Sequence, residues 1–148
     1  MTKKDDNPSA WPLLLTGHAV LTGMIERRLA DAALPPLAWY DVLWALERAP
    51  QHRQRMHELA DYVVLTRSNL TRLVDRLETA GLLRRESDPE DKRGAYAVLE
   101  PAGLVMRKKM WTTYSAAIHE LFDAHLSAAE QKAIGGALRK VISAARAL

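Results

Sequence analysis

Arg67, Ser68, Asn69, Thr71, Arg72 and Arg76 lie close together in one polar stretch of the chain. A guanidinium is a planar fork of donors that matches the O6 and N7 edge of guanine or two oxygens of a phosphate, whereas hydroxyls and amides bond bases and backbone less selectively. Arg72 is the best base reader of the set. A second group follows in Asp91-Lys92-Arg93-Gly94. A cation at the tip of a turn suits a narrow minor groove; here Arg93 would enter it, Asp91 would steady the guanidinium, Lys92 would meet phosphate and Gly94 would permit the turn. Other chemistries lack their parts. His57-Glu58-Leu59-Ala60-Asp61 begins like the zinc-protease H-E-x-x-H motif, but Asp61 stands where the second histidine belongs and a third ligand is not apparent. Glycine-rich nucleotide loops and a G-x-S-x-G elbow are missing from the sequence. No catalytic residue, metal or cofactor is expected, and the chain is read as a non-enzyme.

The 148 residues are 48% hydrophobic and 26% charged, which fits one domain or one protomer of an assembly. Without cysteine there can be no disulfide, thiol nucleophile or cysteine-based sensor. Lacking a long apolar run or a secretory signal pattern, the chain is expected in the cytoplasm with no membrane partner. The net charge of +3 is uneven: residues 51–110 hold 12 Lys/Arg against 9 Asp/Glu, while residues 1–50 hold 5 against 6, so the cationic excess coincides with the polar groups above.

Those groups need a scaffold. Leu14, His18, Leu21, Ile25 and Leu29 recur at helical spacing, predicting a helix from about residue 10 to 33 that Pro35 and Pro36 stop. A second helix runs from Leu37 to Arg48. Met56, Leu59, Ala60 and Val63 predict a third from Gln54 to Val63, and after the break at Val64–Arg67 a fourth covers Ser68–Ala80. That fourth helix buries Leu70, Leu73, Val74 and Leu77 and turns its polar residues outward. Thr66 or Ser68 can cap it, and Gly81 can stop it in the left-handed conformation. Two helices joined by a short turn, the second with an exposed cationic face, form a helix-turn-helix. The period then shortens. Leu82–Glu86 and Ala95–Leu99 read as strands around a Ser87–Gly94 loop, a hairpin that makes a wing beside the recognition helix. Helical spacing returns from Pro101 to about His125, and Ser127 with Glu130 predicts a capping box opening a last helix. The expected fold is α+β, mostly α: a winged helix-turn-helix core over residues 37–99, its wing at 82–99, with long terminal helices at 10–33 and 101–148, all in a single domain over 1–148. The terminal stripes outrun what that core can cover. A symmetric homodimer would bury them.

Met56-His57-Glu58-Leu59-Ala60, the run Leu65–Glu78 with its T-R-L-V-D-R-L-E, Ala80-Gly81-Leu82, Asp88–Gly94 and Pro101-Ala102-Gly103 resemble the MarR family of winged-helix regulators, and the likeness covers nearly the whole chain. Glu100 departs from it, standing where members usually place Thr or Ser. The resemblance implies a homodimeric transcriptional regulator, typically a repressor that binds a pseudo-palindromic site in double-stranded DNA and lets go when a small aromatic or phenolic effector binds. It also places Trp11, His18, Trp39, Asp41, Trp44 and Tyr114, with Trp111 and His119, on helices bordering a cleft. Aromatic walls with a few polar groups suit a planar anion or phenol. The same aromatics would equally serve to pack helix junctions. For the cationic face, the alternative is a winged-helix module that binds an acidic protein without specific DNA binding.

Overall fold

Pro35 and Pro36 separate the first two helices of a computed structural model that describes residues 9–63, 67–91 and 94–148. Helix α1 (Trp11–Asp31) closes with Ala33 in the left-handed region, φ 56°, and with the Leu34 amide donating to the Leu29 carbonyl at 2.9 Å. Helix α2 (Leu37–Arg48) follows Pro36, which has no side chain to cap it; Glu26 Oε1 on α1 instead accepts the Leu37 N–H at 2.7 Å. The remaining elements are β1 (Arg53–Arg55), α3 (Met56–Tyr62), α4 (Arg67–Thr79), β2 (Leu83–Ser87), β3 (Ala95–Leu99), α5 (Pro101–Leu121) and α6 (Ala128–Arg146), with 3-10 turns at Pro50–His52 and Asp123–His125. The fold is the expected α+β winged helix, mostly helical. Among the described residues no helix is long and apolar enough to cross a membrane.

Three local expectations are corrected. The helix expected from Gln54 starts at Met56, because Arg53–Arg55 is a third strand, antiparallel to β3, with Arg53 opposite Val98 and Arg55 opposite Tyr96. The sheet order is therefore β1-β3-β2. The helix expected from Ser68 already includes Arg67, so Ser68 lies inside α4 and is not its cap; Thr66 lies outside the described residues. The helix expected to reach His125 ends at Leu121, where Asp123–His125 tightens into a 3-10 turn. Ser127 and Glu130 do form the capping box, each side chain bonding the other's backbone N–H, at 3.1 and 3.0 Å.

The chain divides into two compact units. One comprises Met1–Ile25 and Ser115–Leu148. Within it Ala117 is buried and Gln131 Nε2 donates to Asp123 Oδ1 at 2.7 Å, but Trp11, Leu13, Leu15 and Val20 of α1 and Val141 and Ile142 of α6 remain exposed. The other unit, Glu26–Tyr114, holds the helix-turn-helix and the sheet. Its core joins Val42, Leu43 and Leu46 of α2, Leu59 of α3, Leu70, Leu73, Val74 and Leu77 of α4, and Leu83, Ala97 and Leu99 of the sheet.

Two glycines fix how α4 and α5 meet the sheet. Gly81 takes φ 77° and ends α4, so that the Leu82 amide turns back to the Leu77 carbonyl at 3.0 Å. Gly103, in the first turn of α5, lies against the Leu82 carbonyl; a methyl group built there would sit 2.1 Å from that oxygen. Gly103→Ala should therefore push α5 off the start of the wing and cost about 3 kcal/mol or more. Urea unfolding checks this, and stability equal to that of the unsubstituted chain would contradict the close approach.

Candidate nucleic-acid interface

The four buried residues of α4 set what its other faces do. Asn69, Arg72, Arg76 and Thr79 are exposed on the side away from the core, and among the described residues neither Arg72 nor Arg76 has an ion-pair partner. Thr71 and Asp75 are also exposed, and with Glu78 they form a flank turned toward β2. Arg85 of β2 meets that flank: its Nη1 is 3.2 Å from Glu78 Oε1, its Nη2 is 2.5 Å from Asp75 Oδ1 and donates to the Thr71 carbonyl at 3.3 Å, and its backbone N–H donates to Glu78 Oε2 at 2.6 Å. Arg84, one residue earlier, turns the other way. It pairs with Glu86 and with Glu100 Oε1, the latter at 3.1 Å, so the unusual Glu100 serves as an ion-pair partner at the start of α5.

The wing is braced at its base by a carboxylate that the sequence alone presents as an ordinary loop residue. Asp88 is only 6% exposed. A buried carboxylate is costly unless paired, and Asp88 is paired: Oδ2 lies 2.9 Å from Arg55 Nη2, and Oδ1 accepts the Glu90 N–H at 2.9 Å. The Asp88 amide donates to the Gly94 carbonyl at 3.2 Å, and the Gly94 amide to the Asp91 carbonyl at 3.0 Å, which closes the loop on the exposed Asp91. Arg53 and Arg55 both stand over the Tyr96 ring, at 3.9 and 5.0 Å from its centroid. These contacts explain why an Arg-Gln-Arg stretch forms a strand. Lys92 and Arg93, and the side chains of Arg67 and Ser68, lie outside the described residues.

The aromatic candidates fall in different places. Trp11 and His18 are exposed on α1 in the unit of the chain termini. Trp39, Asp41, Trp44 and Tyr114 belong to the other unit. Trp39 packs on the core, while Tyr114 meets the buried Tyr40 edge-on, centroids 5.1 Å apart, and Tyr40 stacks with Trp111 at 5.8 Å. Trp44 lies under two guanidiniums, those of Arg48 and Arg107, each 5.2 Å from its ring centroid. Arg107 grips Glu47 through both Nε and Nη2, and its charge lies close enough to Tyr40 to act on the phenol. Tyr40 and Arg107 were not legible as members of this group, since their partners lie on distant segments. Burial pushes the Tyr40 and Tyr114 phenols up. Asp41 still reaches solvent, yet its neighbours strip water from the carboxylate and Glu26 adds a like charge, so it is pushed up to about 6.

The arrangement has solved counterparts. Sco3205 of Streptomyces coelicolor, a MarR family transcriptional regulator crystallised in complex with DNA, is 31% identical, with 95% of this chain and 92% of that one covered at a TM-score of 0.84. The chain belongs to the MarR family. The family's sequence model matches residues 34–94, from just before α2 to the end of the wing loop. AbsC, a MarR family transcriptional regulator from the same organism, gives a TM-score of 0.87 at 28% identity, covering 100% of this chain and 99% of its own. The uncharacterised HTH-type transcriptional regulator YkoM of Bacillus subtilis is 33% identical over 87 residues, 59% of this chain and 56% of its own. The chain spans about half the length of the curated relatives it matches. All three of these relatives are described as transcriptional regulators.

The Asp41 environment gives this MarR chain a pH dependence with a definite sign. The folded chain holds the Asp41 proton more tightly than the unfolded chain, so the stability tied to that proton is full below about pH 4 and is lost as pH rises through about 6. Asp41→Asn should melt with the unsubstituted chain near the acid end and above it at neutral pH. Thermal melts across that range check this; an offset that does not change with pH would contradict it.

Proposed function

We propose that this MarR-family chain is a homodimeric transcriptional regulator that binds a pseudo-palindromic site in double-stranded DNA, acts in the cytoplasm as a repressor, and is released by a small aromatic effector. The observation that carries the DNA reading is the outward face of α4, where Arg72 and Arg76 have no acidic partner among the described residues while both acids of the helix are engaged on its flank. The DNA-bound relative from Streptomyces coelicolor supports it. In this reading Arg72 reads base edges with Arg67, Ser68, Asn69 and Thr71 beside it, Arg76 meets phosphate, and the wing brings Asp91, Lys92 and Arg93 to the neighbouring minor groove. The exposed apolar side chains of α1 and α6 support the homodimer, since a second copy would remove them from water. A dimer places its two recognition helices roughly 10 bp apart on successive major-groove faces. Trp39, Asp41, Trp44 and Tyr114 are the effector candidates in the lobe, with Trp11 and His18 as candidates on α1.

Selection of bound fragments from genomic DNA by the purified protein, followed by titration of the best fragment and a screen for compounds that release it, tests the whole reading. Arg72→Ala and Arg93→Ala should each weaken binding about tenfold or more without lowering the melting temperature. Binding should fall steeply as salt rises, with a log–log slope of roughly −0.9 per neutralised phosphate. A single-subunit protein that prefers no duplex even in dilute buffer would overturn the reading.

A further inference from the structure

We propose that Arg85 is the positioning residue of the DNA-binding surface: it sets the angle between the recognition helix and the wing and masks the helix's two carboxylates from the phosphate backbone. The inference rests on the proposed function above and adds a residue to it. Only one side chain spans the two elements in this way among the described residues. Its side chain is 30% exposed, and the guanidinium reaches three groups of α4 that cover two helical turns, from the Thr71 carbonyl through Asp75 to Glu78, while its own amide is held by the same Glu78. The four contacts reach three residues spread along α4, so β2 can neither slide along α4 nor swing away from it without breaking at least one. A lysine ammonium, a single point of charge, cannot fork to both carboxylates and a carbonyl together.

The electrostatic consequence follows from the helix's own composition. Asp75 and Glu78 are the only acidic residues of α4, and Arg85 pairs with both. Asp75 lies one residue from Arg76 and three from Arg72, so unpaired it would present a negative charge beside the two cations that face outward. Arg85 keeps it neutralised on the flank. Arg84 offers a built-in contrast: it is an adjacent arginine on the same strand, but its partners are Glu86 and Glu100, and among the described residues it holds nothing on α4.

A positioning role and a direct phosphate contact make different predictions. Arg85→Gln should lower affinity for the selected duplex about tenfold or more while leaving the slope of log affinity against log salt undiminished, because a phosphate contact is not being removed. Arg85→Lys should fail to restore binding, Arg84→Gln should leave it within about twofold, and adding Asp75→Asn to Arg85→Gln should recover part of the loss. Hydrogen exchange on the free protein supplies an arm that needs no DNA: the amides of Arg85 and its β2 neighbours should exchange faster in Arg85→Gln, with the melting temperature showing that the fold is retained. A slope reduced by about one with rescue by lysine would make Arg85 a phosphate ligand and overturn the proposal. Unchanged exchange in β2 would overturn the clamp. Failure of the unsubstituted chain to bind any duplex would overturn the proposed function and this role with it, whatever the exchange result.

Discussion

Burial of one face of α4 governs everything else in the DNA-binding lobe. Leu70, Leu73, Val74 and Leu77 sink into a core made with α2, α3 and the sheet, and an α-helix with one face fixed has no freedom left in where its other residues point. The same four side chains therefore decide that Arg72 and Arg76 face outward and that Thr71, Asp75 and Glu78 face the wing. Chemistry at the surface is inherited from packing inside.

The wing is too small to hold its own geometry. Two short strands with a polar loop are marginal in water, and here charge supplies what apolar area does not. Asp88 ties the loop to Arg55, and Arg55 and Arg53 bracket Tyr96, which anchors the third strand to the hairpin. Buried or half-buried pairs of this kind are poor sources of net stability but effective at choosing one arrangement over another. Arg107 and Glu47 do the same between α5 and α2, beside the stacked Tyr40 and Trp111.

Much of this was legible in the residues. The helices announce themselves through apolar spacing, the end of α4 through Gly81, and the start of α6 through Ser127 and Glu130, because each signal is local and its cause is a backbone conformation or a hydrogen bond a few residues away. The exposed polar face of α4 was legible for the same reason. What stayed hidden depends on partners distant in sequence. Arg53–Arg55 has no alternating apolar pattern and becomes a strand only by pairing with β3. Asp88 reads as a polar loop residue until Arg55 arrives beside it. Glu100 reads only as a departure from the usual Thr or Ser and proves to be held by Arg84. Arg85 reads as an exposed strand cation, since its ties to Asp75 and Glu78 cross from one element to another and follow no period.

In the proposed function, the outward face of α4 and the adjacent wing form one surface for duplex DNA. Amide chemical-shift mapping of the isotopically labelled protein during titration with its selected duplex tests that most directly. The large changes should cluster at Asn69, Arg72 and Arg76 and in the wing around Asp91 and Gly94, with Trp44 and Val141 little moved. Changes centred on α2 or α6, with the recognition face silent, would contradict it.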